Sequence, residues 1–299
     1  MKKLVLIDSN AIIHKAFYAI PPLTNRNKEQ INAIYGFSSI LLKIINELKP
    51  DYVGAAYDLP APTFRREKYA EYKSNRAKKP DELIEQIPKT KEIVKGFNIP
   101  ILEMKGFEAD DIIGTLSKKF KNVDVLILTG DLDTLQLIEK NIKVYALRRG
   151  MTDTKIYGAK EVMERYGLKI NQLIDYKGLR GDPSDNIPGV RGVGEKTAIL
   201  LLKEFGSMEN LYKNIDKENK ILKGKLLERL KEHKEMAFFS KELATIRLDV
   251  PIKTSLKELK LDFKIDDVKK AFDRFHFKSL ISRLPGYEPE KEPEQGSLI

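Results

Sequence analysis

Along the first half of the chain, short unbroken apolar runs alternate with longer stretches in which apolar residues recur every three or four positions. The short runs are "KKLVLID", "DYVGAAYD", "IPILEMKGFEADD" and "VDVLILTGDLD"; the longer ones are "INAIYGFSSILLKIINELK" and "DELIEQIPKTKEIVKGF". A brief apolar run bounded by turn-forming residues reads as a strand buried on both faces, and the longer spacing as an amphipathic helix. Strand, helix, strand, helix predicts an α/β fold: a central, mostly parallel sheet flanked by helices. From about Tyr157 the pattern turns helical, in "AKEVMERYG", "INQLIDYKGL", "EKTAILLLKEFG" and "KGKLLERLKEHKEMAFFSKELATI", with Gly and Pro at the joints. The expected organisation is an α/β core over residues 1–165, a helical region over 166–285 and a polar, Pro-containing tail over 286–299.

Each of the four apolar runs ends in, or leads into, acidic residues: Asp8; Asp58; Glu108, Asp110 and Asp111; Asp131 and Asp133. Ligands of open α/β sheets bind outside the carboxyl ends of the strands, where these acids would collect. Asp182 and Asp185, in "RGDPSDN", lie on a Gly/Pro-rich loop that could reach the same place. Taken singly, an Asp after a strand is a common turn or cap residue, and Asp110-Asp111 would suit a helix N-terminus. Four successive strands delivering acids to one edge is more than capping requires. Such a cluster repels itself, raising carboxyl pKa values and destabilising the fold unless a cation sits within it.

Composition narrows the cation. With no Cys and only three His, sulfur-based and His-rich sites are excluded, and oxygen-only donors suit Mg²⁺ or Mn²⁺. Two such ions about 4 Å apart hydrolyse phosphodiesters by generating hydroxide from water and stabilising the attacking and leaving oxygens, with no need of a protein nucleophile.

Charge points the same way. Lys and Arg total 54 against 44 Asp and Glu, a formal +10 that favours a polyanionic partner. The segment "FRREKYAEYKSNRAKKP" sets Arg65, Arg66, Lys68, Lys73, Arg76, Lys78 and Lys79 around Tyr69 and Tyr72. Cations interleaved with aromatics supply phosphate neutralisation and base stacking for single-stranded nucleic acid. A solvated helical face with both tyrosines packed inward fits the same residues; the position directly after Asp58 favours binding. Further on, "IPGVRGVGEKTA" carries Gly189, Gly192 and Gly194 ahead of a strong helix, so backbone N–H groups can approach a phosphate. It is not a P-loop, because Glu195 separates Gly194 from Lys196 and no strand precedes it. A helix-hairpin-helix clamp on duplex backbone over about 187–206, with Arg191 and Lys196 on further phosphates, stands against an ordinary tight turn between helices. The apolar run of "MKKLVLID" stops after four residues at Asp8, too short for a secretion signal or a membrane span, so a cytoplasmic protein is expected.

"GFEADDII", "YDLPAPTFRREKYAEYKSNR", "LTGDLDTLQL" and "GLRGDPSDNIPGVRGVGEKTA", in that family's order between Leu4 and about Leu284, resemble the motifs of the 5′-nuclease (flap endonuclease) family, in its bacterial form the N-terminal 5′→3′ exonuclease domain of DNA polymerase I. The resemblance implies a monomeric enzyme that cleaves 5′ flaps and removes nucleotides from 5′ ends at nicks and gaps, RNA primers included. It implies a first metal site at Asp8, Asp58, Glu108, Asp110 and Asp111, and a second at Asp131, Asp133, Asp182 and Asp185. Lys73 and Arg76 would contact the scissile phosphate and Tyr72 would stack on the flap, within an arch over about 63–90 through which the 5′ end passes. The Gly189–Lys196 turn would clamp the duplex and, as in relatives, hold a monovalent cation such as K⁺. No polymerase follows, so the chain reads as a free-standing enzyme or an excised domain. The terminal "QGSLI" resembles peptides that bind bacterial sliding clamps, with Gln295, Leu298 and Ile299 as anchors. A non-catalytic binder of branched DNA, its acids holding a structural ion, is the rival reading.

Overall fold

The computed structural model of the chain describes residues 1–287. Its strands are β1 (Lys3–Asp8), β2 (Tyr52–Ala56), β3 (Ile101–Leu102), β4 (Asp124–Thr129), β5 (Ile142–Leu147) and β6 (Thr154–Tyr157). They form one sheet in the order β3-β2-β1-β4-β5-β6, parallel except for β6, which runs antiparallel to β5. Helices α1 (Ser9–Ala19), α2 (Asn32–Leu48), α3 (Phe64–Lys68), α4 (Asp81–Gly96) and α5 (Ala109–Lys119) interleave with the first four strands. After the sheet come α6 (Ala159–Tyr166), α7 (Leu173–Arg180), α8 (Glu195–Phe205), α9 (Met208–Lys213), α10 (Gly224–Glu232), α11 (Lys234–Ala244), α12 (Ile265–Asp273) and α13 (Lys278–Ile281).

Because successive side chains of a strand point to opposite faces, the unbroken run "LVLI" feeds two cores at once. Val5 and Ile7 pack with Ile12 and Ile13 of α1, Phe37 and Leu41 of α2 and Ile93 of α4. Leu4 and Leu6 pack with Ile112, Ile113 and Leu116 of α5 on the other face. Full burial of each such side chain contributes about 1.5–3 kcal/mol, which is why the runs contain no polar residue. The chain steps outward from β1 to β2 to β3 and then returns to place β4 on the other side of β1. That reversal opens a crevice at the carboxyl ends of β1 and β4. Asp8 is the last residue of β1, and Asp131 follows two residues after the end of β4.

Several elements differ from the expectation. "IPILEMKGFEADD" is a strand only at Ile101–Leu102, an edge position paired solely with Ala55 and Ala56. Helix α1, which starts directly after Asp8, and the β5–β6 hairpin are additional. The helical region has its own core, built around Leu179, Leu201, Leu202, Leu211 and Leu230. It does not extend to residue 285: Val268, Phe272, Phe275, Leu280 and Ile281 of the last helices pack back into the α2–α4 side of the sheet. The apolar face of α12 finds its partner in α4 rather than in the helices that precede it.

The segment expected as an arch also divides. Residues 81–90 are the first turns of α4, anchored by buried Leu83 and by Gln86, whose Oε1 accepts the N–H groups of Ala33 and Ile34 at 2.9 and 3.3 Å and so caps α2. Of residues 63–80, Lys73, Arg76, Ala77 and Lys79 line the crevice, and residues 71–76 fold down onto the 182–187 loop. The Lys73 N–H donates to Asp185 O at 2.9 Å, Asn75 Nδ2 to Pro183 O at 2.6 Å and Asn186 Nδ2 to Glu71 O at 2.8 Å. Among the described residues no helix is long and apolar enough to cross a membrane.

Candidate active site

A cleft of about 900 Å³ opens at the crevice. Asp8, Asp58, Glu108, Asp110 and Asp131 line it, together with Lys73, Arg76 and Lys79 from the folded-down segment and Asn10, His14, Lys15 and Tyr18 from α1 and its neighbourhood. All of these acids except Asp110 are also tied into local structure. Asp8 caps α1 by accepting the Ala11 N–H at 3.1 Å, and its other oxygen accepts the Thr129 hydroxyl at 2.6 Å, which joins the ends of β1 and β4. Thr129 Oγ1 in turn accepts the Asp131 N–H at 2.9 Å, and Asp131 accepts the Asp133 N–H at 3.0 Å. Asp58 accepts the Ala109 N–H at the start of α5 at 2.8 Å. Glu108 and Asp111 close a capping box around the same helix start. Capping and clustering are therefore both true of these residues: the caps are what aim the carboxylates.

The cluster is electrostatically strained. Burial pushes Asp8 up to about 7, with Asp58 and Asp131 adding to it. Burial, then Asp8, Asp131 and Asp133, hold Asp110 well above the carboxylate range. Asp110 Oδ1 is buried without a hydrogen-bond partner. Burial likewise lifts Asp133 to about 7 in spite of the neighbouring Lys177.

Other expected residues are placed differently. Asp111 is fully buried and turned away from the cleft, held bidentately by Arg65 at 2.7 and 2.8 Å, with the Arg247 N–H at 2.8 Å and the Glu108 N–H at 3.1 Å completing its partners. Its acceptor capacity is used within the protein, so it is not placed as a metal ligand. Arg65, expected on DNA, is only 3% exposed and serves as that carboxylate's counter-ion. Tyr72, expected to stack on a flap, is 4% exposed; its hydroxyl lies 3.1 Å from both Glu108 Oε2 and Asp185 Oδ2 and donates to one at a time. Tyr69 packs edge-on against Phe239. The Gly189 N–H is buried and donates to Ser240 Oγ at 2.9 Å, so it does not face a phosphate. Gly189 is required for a different reason: at φ 63° a Cβ would sit 2.2 Å from the Gly181 nitrogen. Arg66, Lys78, Lys79, Arg191, Gly192, Gly194 and Lys196 are exposed.

Cations of the chain are interposed among the remaining acids. Lys73 Nζ donates to Glu108 Oε1 at 3.0 Å, Arg76 pairs with Asp185, and Lys177 bridges Asp133 and Asp182, holding Asp182 down at about 2 against its burial. As placed, no three His, Cys, Asp or Glu side chains among the described residues are close enough together to hold a metal ion. Sequence reasoning missed Thr129, Asn10 and Lys177. For the first two the signal was adjacency to a strand-end acid; Lys177 is five residues before Asp182, but its approach to Asp133 is tertiary.

The description "5′-3′ exonuclease, N-terminal resolvase-like domain" matches residues 3–167, and "5′-3′ exonuclease, C-terminal SAM fold" matches 168–267. DNA polymerase I of Caldicellulosiruptor bescii is 46% identical over 287 residues, covering 94% of this chain and 33% of that protein. DNA polymerase I of Bacillus subtilis is 44% identical over 297 residues, covering 98% and 33%. The chain thus spans about a third of the length of the curated relatives it matches. Among solved structures, the T5 5′-exonuclease with divalent zinc ions bound has a TM-score of 0.71 at 19% identity, covering 92% of this chain and 98% of that one. The catalytic core of Rad2 in complex with DNA substrate has a TM-score of 0.60 at 16% identity, covering 92% and 88%. Both share the fold. Because the two family matches run end to end through the sheet and into the helical region, this chain belongs to the 5′-3′ exonuclease family and is a nuclease.

Proposed function

We propose that the chain is a divalent-metal-dependent 5′→3′ exonuclease and flap endonuclease that hydrolyses phosphodiesters near the 5′ ends of flaps, nicks, gaps and RNA primers during replication and repair. The observation that carries this is the convergence of Asp8, Asp58, Glu108, Asp110 and Asp131 on one cleft into which Lys73 and Arg76 also reach. The donor chemistry fits hard divalent ions, Mg²⁺ or Mn²⁺: all oxygen, an unpartnered buried oxygen on Asp110, and carboxyls lifted by crowding that a cation would relieve. Asp8, Asp58, Glu108 and Asp110 would hold one ion; Asp131, Asp133, Asp182 and Asp185 would hold a second, some through water. Bound there, the ions would supply water activation and charge stabilisation on a phosphodiester.

The chain's own groups do the rest. Lys73 and Arg76, paired in the free protein with Glu108 and Asp185, exchange those carboxylates for the scissile phosphate and balance charge developing on its oxygens. The Lys73 backbone is in the left-handed region at φ 57°, fixed by its N–H bond to Asp185 O, which sets where the ammonium can reach. Arg66, Lys78 and Lys79 are exposed to meet the single strand, while Arg191, Lys196 and the backbone at Gly192 and Gly194 face the duplex, with K⁺ held by nearby carbonyls. The sheet unit would then be the catalytic core and the helical unit the duplex clamp, in a cytoplasmic monomer. The sliding-clamp peptide at Gln295, Leu298 and Ile299 lies outside the described residues.

The test is 5′-labelled flap DNA, blunt duplex and single-stranded RNA incubated with Mg²⁺ or EDTA. Flap cleavage in Mg²⁺ alone, leaving a 5′-phosphate, is expected; binding without cleavage, or cleavage in EDTA, overturns the proposal. Lys73→Ala is expected to slow flap cleavage by about a hundredfold, the order of losing one transition-state contact, with little change in duplex affinity, because most binding charge lies elsewhere. Equal losses in rate and affinity would remove its catalytic role.

A further inference from the structure

The two halves of the acidic cluster are not equivalent: Asp131 of the second half lines the cleft, whereas Asp133, Asp182 and Asp185 are not among its lining residues. In the first, Glu108 is paired with Lys73 at 3.0 Å and with Arg65 at 3.2 Å, but Asp8, Asp58 and Asp110 make no ion pair among the described residues, and Asp110 Oδ1 has no hydrogen-bond partner. In the second, a lysine is already in place. Lys177, on α7, is 19% exposed and its Nζ contacts Asp133 Oδ1 and, at 2.7 Å, Asp182 Oδ2. These two carboxylates come from different cores: Asp133 follows β4 of the sheet, and Asp182 lies on the loop between α7 and α8. Asp185 is likewise occupied, by Arg76 and by Lys73 at 3.8 Å. That leaves Asp131 as the carboxylate of this half without an ion pair among the described residues.

We propose that Lys177 is a built-in counter-ion at the junction of the two cores, whose ammonium competes with a divalent cation for Asp133 and Asp182 and so makes the second half of the cluster take up its ion weakly. The inference rests on the metal-dependent reading above and deepens it. An ammonium and a divalent ion cannot share the same oxygens at contact distance without repulsion, so occupancy of this half requires the ammonium to move. The side chain permits that: a compact charge on a flexible four-carbon stem swings aside at little steric cost, whereas a planar guanidinium would not. The first ion enters a half in which only Glu108 of the four carboxylates is paired with a cation; the second enters one in which Asp133, Asp182 and Asp185 all are, and has to displace one. Lys177 is thus a positioning residue, acting on the ion through the two carboxylates.

The experiment is Mn²⁺ titration of the metal-free full chain, with calorimetry for affinity and electron paramagnetic resonance to count free ion. Wild type is expected to bind one ion tightly and one weakly. Lys177→Met should tighten the weak ion by about tenfold or more, a modest part of what one unit charge exerts a few ångströms away at an effective dielectric of about 20. Lys177→Gln, a polar neutral variant that guards against a failure of the Met variant to fold, should do the same. Lys177→Arg should leave the second ion weak. A second affinity that is unmoved or reduced in both neutral variants would overturn the proposal, leaving Lys177 as a bridge between the cores. Failure of the underlying metal reading looks different: no Mn²⁺ uptake by the wild type, or a tight ion that survives Asp110→Asn.

Discussion

Asp110→Asn is expected to lower turnover by about a thousandfold or more, the scale of losing a group that organises charge at the reacting phosphate, while raising the melting temperature of the chelator-treated protein. The opposed signs follow from one cause. Asp110 is raised by burial and by Asp8, Asp131 and Asp133, so its negative charge opposes folding when no cation is present. Asparagine keeps the shape and removes the repulsion, and with it a hard anionic oxygen for the ion. The same linkage gives a pH dependence. A carboxyl whose folded-state pKa lies above its unfolded value retains its proton longer in the folded state, so stability falls as pH rises through the interval between the two values. For Asp8 and Asp133 that interval runs from 3.8 to about 7. In EDTA, wild-type stability should therefore decline across it, and in excess Mg²⁺ the decline should shrink because the folded state alone binds the ion. Thermal unfolding of wild type and variant with and without Mg²⁺, alongside flap-cleavage rates, checks all of this. An Asp110→Asn protein that cleaves at near wild-type rate, or that melts below wild type in EDTA, would remove Asp110 from the centre of the site.

What the chain's pattern made legible was the sheet and the edge at which acids gather. Unbroken apolar runs read as strands because Leu4 to Ile7 do feed two cores, and Asp8, Asp58 and Asp131 do meet where β1 and β4 diverge. What it could not show was the direction of each side chain within a motif. Successive helical residues are turned by about 100°, so the two aspartates of "EADD" face different surroundings, one the cleft and the other a buried guanidinium. Nothing local marks Arg65 and Tyr72 as inward-facing in a segment that reads as a solvent-exposed basic stretch; their burial comes from contacts with residues beyond 180, at Asp185, Leu243 and Thr245. The return of α12 to the sheet is illegible for a related reason, since an amphipathic face states that it needs a partner but not which one.

Asp111→Ala, one residue from the first substitution, is expected to leave the chain barely folded: about 3–5 kcal/mol lost, the usual result of removing one partner of a buried pair, and a fall in melting temperature on the order of 10 °C. Arg65 would keep its charge at 3% exposure with its two shortest hydrogen bonds gone and only Glu108 Oε2, at 3.2 Å, left as a carboxylate partner. The Arg247 and Glu108 N–H groups would lose their acceptor as well. The damage would spread because Arg65 also donates to Leu243 O and Thr245 O, at the end of α11, so the pair fastens the basic segment and α5 to the helical region. Replacing both members by apolar residues, Arg65→Met with Asp111→Leu, should recover part of the loss, since it removes the underpaired buried charge, while Glu108 keeps Lys73 as its counter-ion. Thermal unfolding of the single and double variants in EDTA measures this, and Mn²⁺ titration at low temperature tells the structural role from ligation. If Asp111→Ala melts within about 2 °C of wild type, a shift of under roughly 1 kcal/mol, and yet loses its tight ion, then the carboxylate faces the metal in solution and the Arg65 pair is not what holds the two regions together.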